Sequence, residues 1–153
     1  MKTITVSNGD IQLSNGKIQF STGSDKLVQD ITRWLKEPLG TGYTTPNFGS
    51  TLVGMVGEAQ NVNSTSIIEN EVFRVLQLYQ GQQILSLQQA QNAAQLSYWN
   101  KGEIIQSIVS INAQPSSAQG TSIIVSVSLL TLNSDPVNLR ISIDYNGVSV
   151  QNG

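Results

Sequence analysis

Ser122 to Tyr145 reads SIIVSVSLLTLNSDPVNLRISIDY. In its second half Val137, Leu139, Ile141, Ile143 and Tyr145 alternate strictly with Asn138, Arg140, Ser142 and Asp144. That period of two belongs to a strand with one buried and one wet face. In its first half, Ser122 to Leu132 is apolar on both faces in the middle, as expected of a covered strand. Asn133-Ser134-Asp135-Pro136 between them is turn chemistry. The stretch therefore predicts an antiparallel hairpin. Upstream, Ile105, Val109 and Ile111 alternate and predict another strand. NGVSVQNG, at the end, is expected to be a frayed tail over 147–153.

The middle of the chain has helical period. Ser66 and Glu69 have the spacing of a capping box. Ile68, Val72, Val75, Leu76 and Tyr79 then form one stripe, and Ile84, Leu87, Gln91 and Ala94 continue it past Gly81. Two arrangements fit: one helix to about Trp99, or two helices kinked at Gly81. Eight Gln fall between residues 77 and 95, on a face read as solvated or as a polar helix contact. Nearer the start, Leu27, Ile31, Trp34 and Leu35 share a face of a shorter helix, with Ser24 as its expected N-cap and Pro38 and Gly40 ending it. Asp30 and Arg33, on its other face, have the spacing of an ion pair. Residues 38–50 form a shaped loop, for which Tyr43 and Phe48 are expected apolar anchors.

Residues 7–13 and 14–20 repeat, SNGDIQL then SNGKIQF. Asn8-Gly9 and Asn15-Gly16 each carry the signature of a tight hairpin turn. Ile4, Val6, Ile11, Leu13, Ile18 and Phe20 then fall on one apolar face of a short β-meander, which packs either on its own domain or on a neighbour. The chain thus reads as an N-terminal arm (1–22), an α+β domain (23–146) in which a small antiparallel sheet packs with helices, and the tail.

Composition narrows the chemistry. Of 153 residues, 12% are charged and the net charge is −2, so nothing draws the chain to nucleic acid or anionic lipid. A surface so poor in charge suits a protein covered by neighbouring subunits, and equally a domain from a proteome low in charge. With neither Cys nor His, thiol chemistry and the commonest general base and metal ligand are excluded. The opening MKTITVSNGD has no apolar core of a secretory signal, and no apolar run is long enough for a membrane span. Gly40-Thr41-Gly42 lacks the Gly-Lys-Ser/Thr that would make it a phosphate cradle.

Gly23, Gln29, Asp30, Ile31 and Leu35, followed by Gly40 and then Pro46, Phe48, Gly49, Ser50 and Leu52, resemble the pattern of the small baseplate wedge, or sheath-initiator, family of contractile phage tails. The likeness runs over roughly residues 18 to 145. It implies a structural virion protein, arranged in several copies in a ring, whose partners are other wedge proteins, the tail sheath protein and tube or hub proteins. It implies no enzyme activity and no cofactor. In that family a Glu-Pro-Arg motif stands where the long helix gives way to the last strands. Here Glu103 stands for the Glu, while Ile104 and Ile105 replace Pro and Arg. The resemblance makes Glu103, Ile104 and Ile105 a wedge contact, and Trp34, Pro46, Phe48 and Gly49 fold-defining. Sheaths are joined by strands donated between subunits. The strand 137–145 is therefore expected to present an open edge through Leu139, Ile141, Ser142 and Ile143, the alternative being an inner strand of its own sheet.

Members of the family have been labelled lysozyme-like, so a peptidoglycan hydrolase is the alternative. It needs two carboxylates across a cleft. Of ten acidic residues, only Glu37 and Glu58 lie in loops that could face each other. A carbohydrate-binding module is a third reading, resting only on Ser/Asn-rich β structure and expected exposed aromatics.

Overall fold

The computed structural model describes residues 1–7, 10–55, 62–93, 96, 99–116 and 122–153. Six two-residue strands come first: β1 (Thr3–Ile4), β2 (Val6–Ser7), β3 (Asp10–Ile11), β4 (Leu13–Ser14), β5 (Lys17–Ile18) and β6 (Phe20–Ser21). Helices α1 (Gly23–Lys36) and α2 (Val62–Asn92) follow. Four longer strands complete the chain: β7 (Ile105–Pro115), β8 (Ile123–Thr131), β9 (Pro136–Asp144) and β10 (Gly147–Asn152). The fold is α+β.

The long strands form one antiparallel sheet in the order β10-β9-β8-β7. Alternation decides its faces. Ile123, Val125, Val127 and Leu129 of β8 and Val137, Leu139, Ile141 and Ile143 of β9 are buried and face the helices. Tyr145, expected to extend that row, lies in the turn after β9 and is exposed. β8, expected to be covered on both faces, buries one: on the other, Ile124, Ser128 and Leu130 are half-buried and Ser126 is exposed. Residues 147–152 are no frayed tail. They pair with β9 along their whole length, from Gly147 opposite Asp144 to Asn152 opposite Leu139, with Val148 buried. In β7 the expected alternation fails because bulges between Ile105 and Ser107 and between Ile108 and Ser110 each insert a residue. The inward positions become Ile105, Ile108, Ile111 and Ala113, and Val109 is left exposed.

Both helices pack on the inner face, α1 beside β10 and α2 beside β7. Leu27, Ile31, Trp34 and Leu35 of α1 are buried, as their spacing requires. Thr22, in an extended conformation, is the N-cap, so Ser24 lies inside the helix and does not cap it. Arg33 does not pair with Asp30. Asp30 takes Lys26 one turn back (2.5 Å) and the Tyr79 hydroxyl (2.9 Å). Helix α2 is one helix through Gly81 and ends at Asn92; Ala94 lies outside the described residues. It begins four residues before Ser66, so Ser66 and Glu69 form no capping box. Glu69 instead accepts the backbone N–H of Ala113 at 2.6 Å. Ile68, Val72, Val75, Leu76 and Tyr79 are buried, but the stripe then passes through Gln83 and Ala90 and leaves Ile84 exposed. The Gln-rich face is mixed: Gln80 and Gln83 bind the start of β7, while Gln77, Gln82, Gln88, Gln89 and Gln91 face solvent.

The N-terminal strands form three two-stranded pairs around a centre, not a meander. β1 pairs with β6, β2 with β3 and β4 with β5. At the centre Thr5 N–H donates to Gln19 (2.9 Å), Gln12 N–H to Thr5 (2.9 Å) and Gln19 N–H to Gln12 (3.0 Å). The seven-residue sequence repeat thus becomes a pseudo-threefold ring of bonds. Asn15 and Gly16 take the positive φ their turn requires; Asn8-Gly9 lies outside the described residues.

Candidate functional site

The loop after α1 holds the fold-defining residues. Ser50 is its pivot: its N–H donates to Glu37 O (2.8 Å), its hydroxyl to Leu35 O (2.6 Å), and its carbonyl accepts Leu39 N–H (3.0 Å). Gly49 stands at φ +102, and a Cβ there would lie 2.5 Å from Glu37 O and 2.9 Å from Pro38 O. Only glycine satisfies both demands. Phe48 is half-buried. Its ring lies 4.5 Å from that of Trp34, which is buried, and Arg33 sits 5.6 Å from its centroid. Pro46 is exposed, and Tyr43, expected to anchor the loop, is fully exposed. The anchor that periodicity missed is ionic. Arg74 makes a two-pronged contact to Glu71 (2.7 and 2.8 Å) and donates to Gly49 O (3.2 Å), while Glu71 accepts Thr51 N–H (2.7 Å). Burial pushes the Glu71 carboxyl up, but Arg74 and the Thr51 amide outweigh it and hold it below its ordinary value.

Glu103, Ile104 and Ile105 do not face outward; all three are buried. Glu103 closes a capping box with Asn100 around the short turn Lys101–Glu103 and accepts the Met1 amine at 2.6 Å. Its second oxygen, Oε2, is buried and has no partner among the described residues. Gln83 clasps the same junction, donating to Glu103 O (2.6 Å) and accepting Ile105 N–H (3.0 Å). A junction so fully bonded within the chain offers its backbone and its apolar side chains no free surface, so the expected wedge contact through these side chains is not at the surface of this fold.

The expected edge is corrected too. β9 is an inner strand, paired on both sides, and Leu139, Ile141 and Ile143 lie in the core while Ser142 is half-buried. The sheet's edges are β7 and β10. β7 is blunted by its two bulges and bridged by Glu69 at Ala113 and by Gln80 at the carbonyls of Ile105 and Gln106. β10 is unbulged. Gly153 N–H donates to Asn138 O, which fixes the phase of the ladder: Gly147, Ser149 and Gln151 face β9, while Val148, Val150 and Asn152 turn their N–H and C=O groups outward. Beside that edge runs a groove of about 670 Å³ between α1 and the polar side of the N-terminal hairpins. Val150, Asn152, Val28, Thr32, Gln12 and Gln19 line it.

Glu37 accepts the Thr41 hydroxyl at 3.0 Å beside the loop; Glu58 lies outside the described residues. Burial first, and then the Asp30 carboxylate, push the Tyr79 hydroxyl well above its ordinary range, so it acts as a hydrogen-bond donor. Among the described residues no three His, Cys, Asp or Glu gather as a metal site, and no helix is long and apolar enough to cross a membrane.

No protein-family model and no curated protein sequence matches the chain. The fold itself is shared. A crystal structure from Geobacter sulfurreducens, described as a "putative tail lysozyme", superposes with a TM-score of 0.52 over 80% of this chain and 90% of that one, at 18% identity. At that identity the likeness is one of fold.

Proposed function

We propose that this chain is a structural subunit of a contractile phage tail: a baseplate wedge component that joins wedge to sheath and templates the first sheath ring, without catalysis. The motif resemblance through Asp30, Phe48 and Gly49 supports this, as does a fold shared with a protein whose name, "putative tail lysozyme", refers it to a tail. The carrying observation is the unbulged edge of β10, whose outward N–H and C=O groups pair with no strand among the described residues, beside a groove of about 670 Å³. A strand from the sheath protein adds there, taking up the outward N–H and C=O groups of Val148, Val150 and Asn152. Other wedge proteins and tube or hub proteins hold the chain in a ring in the virion.

The test is Val150→Pro. Val150 N–H points outward, so its loss leaves the β9 ladder intact. Particles carrying it are expected to assemble baseplate and tube but no sheath. Normal sheaths would refute the edge assignment. Ser142→Pro, by contrast, strikes an inner strand and tests only folding.

The hydrolase reading is favoured by the name of the Geobacter protein alone. Clearing of a peptidoglycan suspension by the purified chain, lost in Glu37→Gln or Glu58→Gln, would establish it in place of the structural reading.

A further inference from the structure

The N-terminal hairpins turn their faces the wrong way round for a free protein. Directly paired residues share a face, and so do residues two apart on one strand. Ile4 pairs with Phe20, Val6 with Ile11 and Leu13 with Ile18. Chain alternation links Ile4 to Val6, Ile11 to Leu13 and Ile18 to Phe20. The six side chains therefore close into one ring on one face. The opposite face carries Thr5 and Ser21, whose hydroxyls bond each other (2.7 Å), and it is this polar face that meets the body of the protein. Gln29 of α1 fastens it, donating to Ile4 O (2.8 Å) and accepting Val6 N–H (3.1 Å). The apolar ring is left outward: Ile4 is 38% exposed, Val6 45%, Ile11 54%, Leu13 63%, Ile18 46% and Phe20 57%.

We propose that this ring is a self-association face, on which a second copy of this chain closes ring against ring. The exposed surface of the six side chains is about 500 Å², at the upper end of what a monomer leaves in one apolar patch. Two such faces would bury about 1,000 Å², the lower limit of a specific interface, so the dimer is weak. The chemistry of the face selects the occupant. Its six side chains are hydrocarbon, and the central amides of Thr5, Gln12 and Gln19 are already bonded to one another. A polar helix or an unpaired strand laid on it would strand its own polar groups. A second ring brings none. Of the charges nearest the ring, Asp10 and Lys17 precede Ile11 and Ile18 in the strands and alternate to the other face; Lys2, two residues before Ile4, sits at the rim, where water can reach it. The chain's net charge of −2 opposes association only slightly.

The test uses the full chain in sedimentation velocity from about 10 µM to about 1 mM, a range that brackets a weak dimer. Wild type is expected to shift from monomer to dimer across it. Leu13→Gln with Phe20→Gln should weaken the dimer at least tenfold with Tm unchanged, and Leu85→Gln, an equally exposed residue on α2, should leave it intact. The chain has no cysteine, so Leu13→Cys alone should give an oxidised dimer rapidly and Leu85→Cys should not. A wild type that stays monomeric throughout, leaving the ring for some other chain, overturns the proposal. So does a dimer indifferent to the ring substitutions, or dissolved equally by Leu85→Gln.

Discussion

Two regions of this chain share one sequence pattern and meet opposite fates. In β9, Val137, Leu139, Ile141 and Ile143 alternate with polar residues and are buried. In the N-terminal hairpins Ile4, Val6, Ile11, Leu13, Ile18 and Phe20 alternate just as regularly and are exposed. Alternation fixes which side chains share a face, but not whether the chain has anything to lay on it. β9 has two helices to cover it. The hairpins meet the body through Gln29 of α1 on their polar side and the Met1 amine at Glu103.

The sharpest way to break this contrast is through glycine. Gly49 and Gly16 both have positive φ, but a Cβ at Gly49 meets two backbone carbonyls and one at Gly16 meets nothing within 4 Å. Gly49→Val should abolish soluble expression, while Gly16→Ala should cost about 1 kcal/mol, the strain of the left-handed backbone alone. Next in size is the matched pair Ile141→Ala and Ile11→Ala. The first removes a fully buried side chain and should cost about 3 kcal/mol; the second should fall within about 0.5 kcal/mol. Equal losses in urea unfolding would show that the ring is covered in the monomer. Phe48→Ala, at a half-buried site, should cost about 1.5 kcal/mol, less than a buried anchor would.

The smallest effect is electrostatic. Glu71 is held below its ordinary value of 4.5 in the folded chain, so the unfolded chain takes up the proton first. Its contribution to stability is present above pH 4.5 and is lost as pH falls through the folded value. Wild type should therefore lose Tm more steeply below pH 4.5 than Glu71→Gln does. Parallel curves would remove the Glu71–Arg74 clamp from the account.

Much of the framework was legible in the sequence. The buried faces of α1 and β9 and the stripe from Ile68 to Tyr79 of α2 followed from apolar spacing, and Gly49 from its place in the connector, whereas β8 read as covered on both faces and buries one. What was not legible has physical causes. Gln83 continues the α2 stripe, but a polar residue carries no periodic signal until its two backbone partners are known. The bulges of β7 break a period of two without any glycine to announce them. β10 was hidden because VSVQN is short and polar; its signals were Asn146-Gly147 and the alternation of Val148 with Val150. Misjudging β10 moved the open edge to the wrong strand. The candidate site therefore had to be reassigned from Leu139, Ile141, Ser142 and Ile143 to Val148, Val150 and Asn152.

The measurement that bears most directly on this reassignment is cryo-EM of the chain within its tail particle. The expected result is an extended sheath segment in the groove beside α1, hydrogen-bonded to the N–H and C=O groups of Val150 and Asn152. A map in which β10 keeps a free edge, or in which the sheath strand lies along β7, would contradict it.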